Sequence, residues 1–151
     1  SNLALQWCAD PQPAFAEIAR VLAPGGRAAI ATLADDTLWE LRAAWRAVDD
    51  GIHVNRFETV SSLVAAAGAA GLRVRVLTQR QHRPAYTDVR ALARELRALG
   101  AHNLNAGRAA GLAGRDTWRR LQQAYAALAD PDGSLPATWR VVSLVLERAD
   151  D

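Results

Sequence analysis

The sequence predicts an α/β protein in which helices flank a largely parallel sheet, and three observations lead there. A helical segment stops at Pro24-Gly25-Gly26 and feeds directly into an apolar run at 28–33, the order in which parallel sheets acquire their buried strands. A second helical segment is followed by an alternating run at 72–78, and residues 139–147 read as a closing strand. The first strand arrives with no strand ahead of it to pair with. Because the chain also contains no methionine, it is expected to be the later part of a longer chain, with partner strands supplied from elsewhere.

Each element has a local reason. Ala14, Phe15, Ile18, Ala19 and Leu22 fall at helical spacing after Asp10-Pro11, a plausible helix start. Pro24 cannot continue that helix, and the glycines accept a left-handed cap. Asp35 and Asp36 suit the amino terminus of a next helix, whose apolar stripe is Leu38, Leu41, Trp45 and Val48. A polar loop at 49–57 follows. Ser61 or Ser62 is expected to cap a helix that ends at Gly71. In the strand at 72–78, Leu72, Val74 and Val76 share a face. The segment 88–99 is the clearest amphipathic helix, with Val89, Leu92, Leu96 and Leu99 inward and Arg90, Arg94 and Arg97 on another face. After a glycine-punctuated loop, Trp118, Leu121, Tyr125 and Leu128 mark a further helix, and Asp130-Pro131-Asp132-Gly133 is strong turn chemistry. No internal repeat, low-complexity tract or inter-domain linker is visible.

Composition narrows the function classes. The chain has 151 residues, enough for one domain with a core but short for a complete doubly wound enzyme. Half of the residues are hydrophobic and 23% are charged, which is ordinary for a globular protein. Nothing is long and apolar enough for a bilayer span. The single cysteine, Cys8, rules out an internal disulfide and fits a reducing cytoplasmic setting. All 18 basic residues are arginine, and the formal charge of +2 argues for no nucleic-acid partner.

The segments SNLALQW (1–7), RVLAPGGRAAIATL (20–33), ELRAAW (40–45), HVNRF (53–57), LRALGAHNLNAGR (96–108) and LPATW (135–139) resemble those of one family. It is the malonyl-acyl-carrier-protein O-methyltransferase family of biotin synthesis. The resemblance implies an α/β fold, the carboxyl-terminal half of a Rossmann-like methyltransferase sheet with inserted helices forming a substrate-side lid. On that reading residues 1–151 are one partial domain, with helical insertions at about 35–57 and 84–130. It also implies S-adenosylmethionine as cofactor and malonyl-carrier protein as partner and substrate. The strands and glycine-rich turn that hold most of that cofactor in such enzymes are absent here. Two positions depart from the family pattern: Ala34-Asp35-Asp36 replaces a glycine-containing turn, and Trp139 stands where tyrosine is common.

The candidate site residues divide into groups. Ser1, Asn2 and Leu3 are expected at the carboxyl end of a strand, where open parallel sheets bind ligands, and the resemblance makes them cofactor-binding. Gln6 and Trp7 would border the transfer pocket, although Trp7 also reads as core. Trp39, Trp45, Trp118 and Trp139 read as core. For an anionic substrate, Arg56 offers a bidentate fork, with His53 and Asn55 in the same loop; the alternative is a loop stapled by its own hydrogen bonds. His102, Asn103 and Arg108 form a second polar group, readable also as loop and cap residues. The row Arg90, Arg94 and Arg97 would receive an acidic carrier protein, or is simply a solvated face. No catalytic residue and no metal ligand is identified: a malonyl carboxylate is already ionised, and the three histidines lie far apart. Exposed strand edges would allow self-association. The remaining alternatives are a methyltransferase of another small acid or quinone precursor, and a non-catalytic remnant lacking the cofactor site.

Overall fold

The structure is a computed structural model that describes residues 1–100 and 114–149. In chain order, a short 3-10 turn (Leu5–Trp7) precedes α1 (Pro11–Val21), β1 (Arg27–Leu33), α2 (Trp39–Arg46), α3 (Val60–Ala69) and β2 (Leu72–His82). Then come β3 (Ala85–Tyr86), α4 (Val89–Ala98), α5 (Arg115–Ala126), β4 (Leu135–Pro136) and β5 (Trp139–Arg148). These elements form two compact units, Ser1–Asp35 with Phe57–His82 and Arg140–Asp151, and Asp36–Arg56 with Arg83–Trp139. The predicted His102, Asn103 and Arg108 lie outside the described residues.

The first unit is a sheet of order β1-β5-β2 backed by α1 and α3. α1 starts as predicted: Asp10 accepts a hydrogen bond from the Gln12 N–H at 2.8 Å, and Pro11 opens the helix. The expectation for β1 needs correcting. The chain itself supplies its neighbour, since β5 pairs antiparallel with β1 from Arg27↔Glu147 to Leu33↔Val141. The parallel contact is confined to the opposite edge, where Asn2 bridges to Ala31. The apolar run misled because its small alanines read as continuous burial, whereas Ala29 is exposed and Ile30 and Thr32 are buried.

Two further boundaries differ from prediction. Thr59, not Ser61 or Ser62, caps α3, because it has the extended backbone a cap needs and accepts from the Ser62 N–H. β2 continues past Thr78 to His82. There Leu72 is buried and Val74 packs on the core, but Val76 is exposed. Phe15, Leu63, Ala67, Leu144 and Leu146 fill the core of this unit. On β5, Glu147 accepts from Arg27 of β1 at 2.8 Å and pairs with Arg75 of β2 at 3.7 Å, so one carboxylate clasps both neighbouring strands.

The second unit packs α2, α4 and α5 around Leu41, Val48, Val89, Leu92, Leu121 and Tyr125. Asp88 caps α4 as its sequence position suggests, accepting from the Ala91 N–H. Leu99 was expected inward, but it follows the last helical turn and is exposed. The 130–133 turn forms as expected, with the Gly133 N–H donating to Asp130 at 2.8 Å and Gly133 at φ +83°. The predicted helix start at Asp35-Asp36 is wrong. Asp36 and Leu38 both take left-handed backbone (φ +66° and +55°), and α2 begins only at Trp39. The aspartate therefore adopts the conformation that a glycine would take without strain. Trp39, expected in the core, is 41% exposed, whereas its neighbour Glu40 is fully buried.

Glu40 organises this unit. Its carboxylate accepts from both the Thr138 N–H, at 2.9 Å, and the Thr138 hydroxyl. The Leu38 N–H donates to the Thr138 carbonyl at 2.6 Å. Arg83 lies 3.9 Å from Glu40 and grips Asp130 through two hydrogen bonds of 2.8 and 3.0 Å. Tyr125 donates its hydroxyl to the Pro136 carbonyl at 2.6 Å. Burial, reinforced by the charge of Glu40, pushes that hydroxyl well above its ordinary pKa. Replacing Glu40 with alanine leaves the Thr138 donors unsatisfied and is expected to cost about 2–4 kcal/mol. Urea unfolding measures this; a loss below about 0.5 kcal/mol, the level of an ordinary surface change, would show that the buried carboxylate is dispensable.

Candidate functional site

Within the second unit, α2 and the loop after it enclose a pocket of about 420 Å³. Arg42, Trp45, Arg46 and Asp49 line it at spacings of three and four, one face of a helical stretch. Gly51, His53 and Arg56 line it from the loop. The indole of Trp45 and the imidazole of His53 stack with centroids 3.6 Å apart and planes 8° from parallel. His53 Nε2 lies 2.7 Å from Asp49 Oδ1, and the same oxygen accepts from the Gly51 N–H at 2.8 Å. A Cβ on Gly51 would come within 2.9 Å of both Asp49 Oδ1 and His53 Nε2, so glycine is required there for the pair to close.

The electrostatics follow from this geometry. Burial raises the Asp49 carboxyl, but hydrogen bonds from His53 and Gly51, with the charges of His53 and Arg120, outweigh it and hold the carboxyl below its usual value. Arg42 donates to the Thr37 carbonyl at 3.1 Å and to the Asn55 carbonyl at 3.4 Å, tying the loop back to the start of α2. Arg46 and Arg56 are exposed and have no hydrogen-bond or ion-pair partner among the described residues. The pocket therefore offers Arg46 and Arg56, without partners among the described residues, beside an aromatic wall, with the exposed Asp50 carboxylate also on its lining; two guanidiniums are suited to a small carboxylate or another oxyanion.

The structure brings His53, Asn55 and Arg56 together, as one loop must, but gives them different duties. His53 is turned onto Trp45 and Asp49, and Asn55 contributes its backbone carbonyl to Arg42. Arg56 faces the pocket. Arg46, Trp45, Asp49 and Gly51 escaped the sequence reading; the legible signal was Asp49-x-Gly51-x-His53, an aspartate-glycine turn closed by a histidine.

In the first unit, Ser1, Asn2 and Leu3 lie along β1. The Ser1 carbonyl accepts from the Ala31 N–H, and the Leu3 N–H donates to the Ala31 carbonyl. Gln6 bridges the Leu3 carbonyl (2.8 Å) and the Thr32 hydroxyl (3.2 Å), while Trp7 is 39% exposed and so is not core. Arg90, Arg94 and Arg97 are exposed on α4, Arg97 at the rim of a cavity that Val89 and Leu92 also line, and all three are unpaired among the described residues.

A family model described as a methyltransferase domain matches residues 1–30. The chain is 44% identical over 142 residues to the malonyl-[acyl-carrier protein] O-methyltransferase of Laribacter hongkongensis, covering 94% of this chain and 48% of that one. It is 42% identical over 148 residues to the protein of the same name from Methylococcus capsulatus, covering 98% and 54%. The chain is a relative of the malonyl-acyl-carrier-protein O-methyltransferases. A biotin biosynthesis bifunctional protein of Teredinibacter turnerae is 43% identical across the whole chain, which spans 26% of it. The chain thus spans about half the length of these methyltransferase relatives, and less of the bifunctional one.

The methyltransferase-like α/β fold is also that of solved structures. The YcgJ protein of Bacillus subtilis superimposes with a TM-score of 0.60 at 14% identity, covering 99% of this chain and 62% of that one. A candidate methyltransferase of Bacillus halodurans gives 0.60 at 12% identity, covering 98% and 67%. Among the described residues no helix is long and apolar enough to cross a membrane, and no group of histidine, cysteine and carboxylate side chains could hold a metal.

Whether S-adenosylmethionine fits the lip formed by Ser1, Asn2 and Leu3 can be judged from its free groups. The Ser1 and Leu3 backbone groups are spent on β1 and Gln6, and residues 1–7 contain no acidic side chain to take ribose hydroxyls. This lip alone does not fit the cofactor.

Two outcomes test the site geometry. Gly51→Ala is expected to part His53 from Asp49 and disturb the stack on Trp45. The ring-current shifts of the His53 protons would then collapse, and unchanged shifts would show that the contact tolerates a side chain. The Asp49 carboxyl is held below its ordinary value in the folded chain, so its stabilisation is present above that ordinary value and is lost as pH falls through the lower folded one. Urea midpoints across that acidic range should fall less steeply for Asp49→Asn than for the parent chain; parallel curves would contradict the depressed pKa.

Proposed function

We propose that this chain supplies the substrate-holding part of a methyltransferase that esterifies the free carboxylate of a malonyl group carried on acyl carrier protein, in the making of a biotin precursor. The observation that carries this reading is the pocket in which Arg46 and Arg56, unpaired among the described residues, stand beside the Trp45–His53 stack. The names of the relatives supply the substrate.

The chemistry asks for binding more than for acid–base work. A malonyl carboxylate is ionised at neutral pH, so no residue has to remove a proton from it. What remains is to fix its oxygens and to exclude water. Guanidiniums do the first through charge-assisted hydrogen bonds, and the indole–imidazole wall serves the second. Esterification cancels the charge that the arginines hold, so the same contacts that select the acid release the ester. The methyl donor of this reading is S-adenosylmethionine, whose site this chain does not complete. Calorimetry on the chain alone is accordingly expected to show no measurable cofactor binding; micromolar binding would overturn that expectation.

The exposed row Arg90, Arg94 and Arg97 supports carrier docking, since a basic helix face steers an acidic partner by long-range attraction. The test pairs this chain with the amino-terminal half of the Laribacter hongkongensis relative and assays methylation. Malonyl-carrier protein should be preferred over other carrier-bound acids, and Arg56→Ala should lower the rate about 10- to 100-fold, the worth of a charged hydrogen bond. Equal use of unrelated acids, or an unaltered rate, would refute the reading. Reversing the charge of Arg90, Arg94 and Arg97 together should impair carrier-bound substrate more than a small malonyl thioester; equal impairment would remove the docking role.

A further inference from the structure

β2 (Leu72–His82) is an edge strand of the sheet β1-β5-β2, with β5 on one side of it. Among the described residues, none of its backbone groups bonds to backbone outside the sheet. Edges of this kind are usually kept short or broken by a proline or a bulge, because their unpaired N–H and C=O groups invite another strand. β2 is 11 residues long and contains no proline. Residues 75–82 are exposed along their whole length, on both faces of the strand. Val76 and Leu77, which point to opposite faces of the pleat, are 49% and 37% exposed.

We propose that a second copy of this chain covers this edge, the two β2 strands running antiparallel about a twofold axis at Leu77. In an antiparallel ladder, facing residues either both turn their backbone groups across the gap or both turn them away. A strand can therefore pair with its own copy only in registers that oppose positions an even number apart. One such register uses the whole of β2. It sets Leu77 against the partner's Leu77, and it sets Val76 opposite Thr78, Arg75 opposite Gln79, Val74 opposite Arg80 and Arg73 opposite Gln81. Charge decides whether this is tolerable, since β2 carries Arg73, Arg75 and Arg80 and no carboxylate, and like charges directly opposed are destabilising. Here every arginine faces a glutamine or a valine. Arg75 is in addition offset by Glu147 of β5, 3.7 Å away. The exposed Leu77 side chains cover each other at the axis, and each Val76 lies against a threonine. An acidic extended segment of another protein would also meet the arginines, but it would leave the fit of the strand to itself without a use.

This interface belongs to the first unit and asks nothing of the pocket in the second, so it stands or falls apart from the carboxylate reading. One strand per copy is a small contact by the standard of stable dimers, and a dissociation constant of about 10–100 µM is expected. Sedimentation equilibrium across that range reads it. Leu77→Lys places two like charges at the axis and should weaken association at least about tenfold. Leu77 is exposed, so the variant should keep the fold, which circular dichroism checks. Cysteines then read the register in a Cys8→Ser background. Leu77→Cys should give a disulfide-linked dimer on mild oxidation, because facing Cα atoms lie about 4.5–5.5 Å apart, within reach of such a bond. Arg80→Cys should not, because in this register the two copies of position 80 are about 20 Å apart along the strands. A chain that stays monomeric throughout would leave the edge to a partner of another kind and overturn the proposal. So would association that survives Leu77→Lys, or cross-linking as ready at position 80 as at 77.

Discussion

A carboxylate with no access to water is tolerable only when its oxygens are hydrogen-bonded, and Glu40 meets that condition through the Thr138 N–H and hydroxyl, with the charge of Arg83 3.9 Å away. The consequence is topological. The second unit is made of two separate stretches, Asp36–Arg56 and Arg83–Trp139. Glu40 sits near the start of the first, Arg83 begins the second and Thr138 nearly ends it. One side chain thus gathers three places where the unit's chain enters or leaves. Arg83 extends the clasp to Asp130 and its turn, and Tyr125 closes on Pro136. The left-handed backbone at Asp36 and Leu38 is the strain accepted to aim Glu40 inward.

What Glu40 fixes at one end, α2 delivers at the other. The helix carries Arg42, Trp45 and Arg46 on one face, and Asp49 follows one turn later. Arg42 returns to the loop through the Asn55 carbonyl, so the segment bearing Arg56 is held by a backbone contact. Arg120 of α5 donates to the Val48 carbonyl at 3.2 Å, steadying the end of the same stretch. The aromatic wall is similarly over-determined. Gly51 admits the Asp49–His53 pair, and that pair holds the imidazole flat against Trp45. Of the two carboxylates on the pocket lining, Asp49 is engaged by His53 and Gly51, and neither Arg46 nor Arg56 has a partner among the described residues.

Much of this was legible in the sequence, and the failures share a cause. Helix positions followed from apolar spacing, and the start of α1 at Asp10-Pro11 from residue type. Antiparallel pairing of β1 with β5 was not legible, because alanine-rich strands do not show which edge is paired or which face is bare. Glu40 was missed because a carboxylate beside Trp39 reads as solvent-facing until its distant partner Thr138 is known. At the pocket, Arg56 and His53 were found by residue chemistry. The turn geometry that makes His53 a wall and leaves Arg56 as a donor needed coordinates.

If Arg46 and Arg56 hold the carboxylate as proposed, the chain distinguishes a free malonyl carboxylate from its ester by charge. The most direct measurement titrates the chain with a small malonyl thioester and with the methyl ester of the same compound, following the Trp45 indole and the His53 ring protons by NMR. The acid should perturb both signals saturably, and the ester should leave them nearly unmoved. Equal perturbation by acid and ester, or by neither, would show that Arg46 and Arg56 do not read the carboxylate.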